Sequence, residues 1–236
     1  MNEQPLRKRS LAVLAMVAWA GVLLQLWLSI ELTLANGKTV AQGIVVFLGY
    51  FTVLTNLFVA LTATLPLVAG SRPLGRWFDQ PLVLGCATTS ILIVGIAYHF
   101  LLRHVWQPEG LQWLADVVLH YAVPVLAFAH WVAFAPRSGL GVLAPLAWCL
   151  YPMGYFAYVF VRGELLASYP YYFIDVAGIG YRQAMVNSFG LLVAFIVLGA
   201  AVLAVARLRN RFRPAEGPDA ATAASGSAAR DQRSRR

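Results

Sequence analysis

Six long apolar segments, at about 11–33, 43–69, 82–102, 113–135, 141–161 and 185–206, constrain this chain more than any other feature. A helix needs about 20 residues to cross a hydrocarbon core of roughly 30 Å, and each segment is that long. Sixty per cent of the 236 residues are hydrophobic and only 12% are charged. Globular domains run about half apolar and about a quarter charged, so no soluble fold hides this much apolar surface. The runs are too continuous for barrel strands, and an open sheet would leave backbone groups unpaired in lipid. The expected fold is all-α: a polytopic, six-transmembrane-helix bundle.

Charge orients the bundle. An even number of spans puts both ends on one side, together with Arg7, Lys8, Arg9, Arg72, Arg76, Arg137 and the arginines from Arg207 onward. Only Lys38, Arg103, Arg162 and Arg182 fall on the other. The positive-inside bias therefore places both termini in the cytoplasm. The net charge of +8 comes largely from these juxtamembrane arginines, which serve topology and lipid head groups rather than nucleic acid. Arg7-Lys8-Arg9 followed by an apolar run also resembles a signal peptide. That run is too long and lacks a small-x-small cleavage site, so an uncleaved first helix is expected. The domain reading is a basic N-terminus (1–10), a membrane domain (11–213) and a disordered polar tail (214–236) that cannot offset its ordering entropy. Usage rich in Ala and Arg points to a bacterial source, and hence to a bacterial plasma membrane. Cys86 and Cys149 lie within spans and read as packing residues.

Polar groups inside hydrocarbon are costly unless paired, and so mark function. Thr52, Thr55 and Asn56 share one face of the second span by their i,i+3 and i,i+4 spacing. With that span running inward from Gly43, Thr52 lies on the order of 13 Å deep at about 1.5 Å per residue. In the fourth span His120 is about 10 Å deep by the same rise, and Asp116 stands one turn before it. The third span brings Tyr98, His99 and Arg103 to the same side, and Glu31 and Asp175 are within reach. The cytoplasmic halves carry few polar groups, and His130 there receives no role. The arrangement points to one pocket opening toward the outer leaflet. A hydroxyl beside a histidine, itself held by a third group, is the general form of an activated oxygen nucleophile. Each residue also has a plainer reading: Thr52 bonding its own helix, Asn56 joining helices, His120 as a simple hydrogen-bond partner. The link 162–184 contains Tyr169-Pro170-Tyr171-Tyr172-Phe173-Ile174-Asp175, which fits either an interfacial aromatic belt or a lid over the pocket. No facing histidine pairs suggest haem and no spacing suggests a metal, so no cofactor is expected.

Three stretches, Tyr50-Phe51-Thr52-Val53-Leu54-Thr55-Asn56-Leu57, Leu119-His120-Tyr121-Ala122-Val123-Pro124 and the Tyr169–Asp175 run, occur in an order that resembles the androgen-induced-gene family of multi-pass membrane proteins and, more specifically, its bacterial relatives. The similarity covers roughly residues 10 to 205. The animal members are intramembrane hydrolases that cleave esters between two fatty-acid chains with a threonine and a histidine. The resemblance assigns those roles to Thr52 and His120. The chain departs at Thr55, where the animal proteins have an acidic residue, and in a spacing from His120 to Pro124 that is one residue shorter.

The resulting expectation is a lipid ester hydrolase acting on fatty-acid esters of hydroxy fatty acids. Thr52 is the nucleophile and His120 the base, with Asp116 orienting His120. Asn56 or Thr55 donates to the oxyanion, while His99, Tyr171, Tyr172 and Asp175 bind substrate or form the lid. Two rivals stand beside it: a non-enzymatic membrane protein that binds lipid or another hydrophobic ligand, and a small transporter. A transporter needs a polar route through the cytoplasmic half, which the sequence does not suggest.

Overall fold

The structure, a computed structural model, describes residues 3–136 and 138–212. The tail assigned to 214–236 lies outside them. The described residues hold six helical spans long and apolar enough to cross a membrane, so the chain is a multi-pass integral membrane protein. Large apolar side chains face outward, including Val125 and Val132 on the fourth span and Phe189, Val193 and Val197 on the sixth. In water such a surface would drive aggregation, whereas in lipid it is the required exterior.

The first span, α1 (Gln4–Ala35), starts earlier than its apolar run and takes Arg7, Lys8 and Arg9 into its opening turns. The short α2 (Val40–Phe47) is launched by a capping box between Thr39 and Gln42. It leads into α3 (Phe51–Ala69), and a six-residue helix, α4 (Pro73–Phe78), follows. The third span, α5 (Pro81–Ala97), ends in a π-helical turn at Tyr98–Leu102. The fourth is α6 (Gly110–Val117), a second π-helical turn (Val118–Ala122) and α7 (Val123–Phe134). The fifth comprises α8 (Ala144–Trp148) and α9 (Leu150–Leu166). After a 3₁₀ turn at Tyr172–Ile174, the last span is α10 (Val176–Arg211), kinked at Gly180 where φ is 76°. Helix α5 is central, packing on α3, α7, α8 and α10, while α1 closes the bundle against α3 and α7. Arg209 reaches Glu3 at 3.8 Å, so the two ends share one face. The Arg7–Asp79 ion pair ties α1 to the end of α4.

Two sequence expectations need correction. The link 162–184 is mostly helical: α9 continues to Leu166 and α10 begins at Val176, which leaves a loop of only 167–175. The segment 43–69 is not one helix, because it breaks at Leu48-Gly49-Tyr50 between α2 and α3.

A broken helix at membrane depth is tolerated only where protein satisfies the freed backbone groups. Here α9 does so from one face. Tyr155 donates to the Gly49 carbonyl at 3.1 Å and Tyr158 to that of Leu48 at 3.3 Å. Arg162 donates to the Val45 carbonyl at 3.3 Å and also to Ser168 at 2.9 Å. These residues are spaced i, i+3 and i+7, so a single stripe of α9 covers the end of α2. Arg162 approaches the break closely at Gly49, where a Cβ would sit 3.0 Å from the guanidinium carbon. Arg162→Met leaves two carbonyls without this donor and is expected to cost about 2 kcal/mol. Thermal unfolding in detergent measures it, and an unchanged midpoint would remove Arg162 from this account.

Candidate active site

The break determines what Thr52 presents. Tyr50 caps α3 and Phe51 is its first helical residue, so Thr52 lies in the first turn. Amides in a first turn have no partner in their own helix. The Thr52 N–H instead donates to the Tyr171 hydroxyl at 3.3 Å. Thr52 is buried, and its Oγ1 lies 3.3 Å from His120 Nε2 and 3.4 Å from the Tyr171 hydroxyl.

His120 stands on the π-helical turn of the fourth span. Its Nδ1 donates to the Asp116 backbone carbonyl at 3.0 Å, with the Asp116 carboxylate 3.6 Å away. With the Nδ1 proton committed, the neutral imidazole presents a bare Nε2 lone pair to Thr52. The hydrogen bonds then run in one direction, from the Tyr171 hydroxyl to Thr52 Oγ1, from Thr52 to His120, and from His120 to the Asp116 carbonyl. Tyr98, on the opposing π-helical turn of α5, stacks on the imidazole at a centroid distance of 4.0 Å and 19° between planes. An aromatic face against a histidine favours the imidazolium that forms on proton transfer. Gly95 permits this approach, since a Cβ there would meet the His120 carbonyl at 2.8 Å. π-Helical turns recur at functional sites because they re-aim side chains within a helix, and here two of them meet.

Asn56 does not face a reacting atom with its donors. Its amide donates to the carbonyls of Thr52 at 2.8 Å and Leu119 at 3.3 Å. It is fully buried and joins α3 to the turn bearing His120, so it positions both members of the pair. Its Oδ1 and Asp116 Oδ2 are buried without a hydrogen-bond partner among the described residues. Thr55 bonds the Tyr151 hydroxyl on α9 at 3.2 Å and not the pair. The donors foreseen for an oxyanion are thus both committed elsewhere.

Of the residues assigned to binding or a lid, only Tyr171 reaches Thr52. Tyr172 is exposed and bonds the Leu101 carbonyl. Asp175 caps α10 by accepting from the Ala177 N–H at 3.1 Å. His99 bonds Tyr121 and Arg103, and Glu31 is exposed. Burial holds the Tyr171 phenol up to about 12, so it stays protonated and able to donate at neutral pH.

Beside Thr52 lies an apolar cavity of about 60 Å³, walled by Phe51, Val94, Ala97, Phe156, Leu191 and Phe195. Tyr98 and Tyr171 also line it. The half of the bundle nearer the termini is less apolar than expected. Thr62, Thr88 and His130 are buried around a second space of about 20 Å³, and His130 bonds Ser10 at 3.0 Å. Among the described residues no group of three His, Cys, Asp or Glu side chains is placed to hold a metal ion.

By sequence position alone Tyr98 is one of several polar residues at the outer end of the third span, and Arg162 falls in an outer link. A stripe of Tyr155, Tyr158 and Arg162 in an apolar segment was the available signal for the second. Nothing marks Tyr98 before the helices are packed. No protein-family model, curated protein or solved structure matches the chain. The hydrogen-bond order makes His120 an Nδ1-protonated tautomer with an acceptor Nε2. Nitrogen-15 NMR of histidine-labelled protein is expected to show that pattern, with Thr52→Ala shifting Nε2 far more than Nδ1. The opposite tautomer would contradict the arrangement.

Proposed function

We propose that this protein is an intramembrane hydrolase of lipid esters, with Thr52 as nucleophile and His120 as general base and acid. The contact between Thr52 Oγ1 and His120 Nε2, at the wall of an apolar cavity, carries this reading. A threonine hydroxyl is a weak nucleophile until an adjacent base takes its proton, and a base is effective only if a third group fixes its tautomer. The Asp116 carbonyl does that here, and the Asp116 carboxylate and the Tyr98 ring lie against the imidazole.

In the first half-reaction Thr52 Oγ bonds to the acyl carbon as its proton passes to His120 Nε2. The ester C–O bond then breaks, and the departing alcohol oxygen takes that proton. In the second, water attacks the acyl-threonine and gives a proton to His120, which returns it to Thr52 as the fatty acid leaves. The apolar cavity suits an acyl chain entering sideways from lipid. The positive-inside bias, with Thr52 in the first turn of α3 at the end away from the termini, supports a site in the outer half of the membrane. The resemblance to the androgen-induced-gene family selects the same two residues, and proposes fatty-acid esters of hydroxy fatty acids as substrates.

Purified protein incubated with a panel of lipid esters, including these, tests the reading through the acids released, measured by mass spectrometry. Thr52→Ala and His120→Ala are expected to lower turnover by about 100-fold or more in monodisperse protein. Full turnover in either variant would sink the proposal. Saturable lipid binding by a wild type that hydrolyses nothing in the panel would favour the lipid-binding alternative.

A further inference from the structure

Hydrolysis at Thr52 creates a negative oxygen beside Oγ1, and the residues first considered for it are occupied. Asn56 spends its amide hydrogens on two carbonyls and Thr55 faces Tyr151. Two donors remain at the correct place. One is the amide of Thr52 itself, left free of helix bonding by the α2–α3 break. The other is the hydroxyl of Tyr171, which lies 3.3 Å from that amide nitrogen and 3.4 Å from Oγ1. We infer that Tyr171 is a catalytic residue, whose hydroxyl forms an oxyanion hole together with the Thr52 N–H. The inference rests on the hydrolase reading.

In the resting protein the phenol oxygen accepts from the amide at 3.3 Å. When an ester binds, its carbonyl oxygen sits beside the two donors, replaces the phenol as acceptor of the amide, and accepts from both groups. As the Oγ–C bond forms, the C=O π pair moves onto this oxygen, while the Thr52 proton goes to His120. When the carbonyl reforms, the pair returns and the ester C–O bond breaks. Neither donor gains or loses a proton over the cycle, and no redox partner is needed.

Such donors are effective when they are already fixed before charge develops. Tyr171 is held by a parallel ring contact with Phe173 at 5.1 Å and an edge contact with Tyr50 at 5.7 Å. Its loop is tied at three points. Arg162 bonds Ser168, Asn187 bonds the Phe173 carbonyl at 2.8 Å, and Tyr172 bonds Leu101. The apolar surroundings strengthen a hydrogen bond to a full charge relative to water.

Tyr171→Phe removes the hydroxyl while keeping the ring contacts. With full-length protein in detergent, kcat is expected to fall by about 100-fold and KM to change little. A fatty-acyl trifluoromethyl ketone and a non-hydrolysable ether analogue of the ester separate chemistry from packing. The ketone adds to Thr52 and generates the oxyanion, whereas the ether only fills the cavity. Tyr171→Phe should weaken inhibition by the ketone about 100-fold and leave ether binding unchanged. Equal losses for both compounds would make Tyr171 a structural lid residue and overturn the assignment. Unchanged kcat and ketone inhibition, with Thr52→Ala inactive, would overturn it while the hydrolase reading stands. A wild type with neither turnover nor a Thr52-dependent ketone adduct would overturn both.

Discussion

The site depends on a helix that stops at Phe47 and restarts at Phe51, at the head of the second span. An uninterrupted segment through residues 43–69 would consume the Thr52 amide in its own hydrogen-bond ladder. The interruption at Leu48-Gly49-Tyr50 frees that amide and places the threonine in the first turn of α3. Hydrocarbon normally forbids such a gap, since each unpaired backbone group costs several kcal/mol there. The donors of Tyr155, Tyr158 and Arg162 on α9 make the gap tolerable. A residue in one span thereby determines what a threonine in another can do.

Arg162 links the two halves of this arrangement. One of its terminal nitrogens bonds the end of α2 and the other bonds Ser168, at the start of the loop that delivers Tyr171. The break and the loop are therefore positioned by the same buried cation. An intramembrane arginine is expected to be paired or functional, and here backbone carbonyls are its partners. The opposite side of the site is built by π-helical turns within helices rather than by a loop. Two π-helical turns bring Tyr98 and His120 face to face, and Asn56 fastens the His120 turn to α3.

The division between polar and apolar surroundings suits the proposed chemistry. Asp116, His120, Asn56 and Thr52 are all buried, so their interactions are little screened by solvent. The adjoining cavity is lined almost wholly by apolar side chains, which suits the acyl chain of the proposed substrate. The polar residues around His130 form a separate group near the terminal face and do not touch the Thr52–His120 pair.

Much of this architecture was legible in the chain. Span length and composition determined a six-helix membrane protein, because only helices satisfy their own backbone in lipid. Depth and i,i+4 spacing singled out Thr52, Asn56, Asp116 and His120, because polar groups in apolar segments need partners. Individual roles were harder to read. Periodicity could not reveal the break before Thr52, since its compensating donors come from α9, more than a hundred residues away. It could not separate Tyr171 from Tyr172 or show that Asp175 caps a helix, because neighbouring loop residues differ only in direction. Asn56 and Thr55 share a face with Thr52, yet their hydrogen bonds go to groups that packing alone supplies. The sequence by itself determined which polar residues enter the membrane; tertiary structure decided which of them meet, because a hydrogen bond depends on distance and direction between helices.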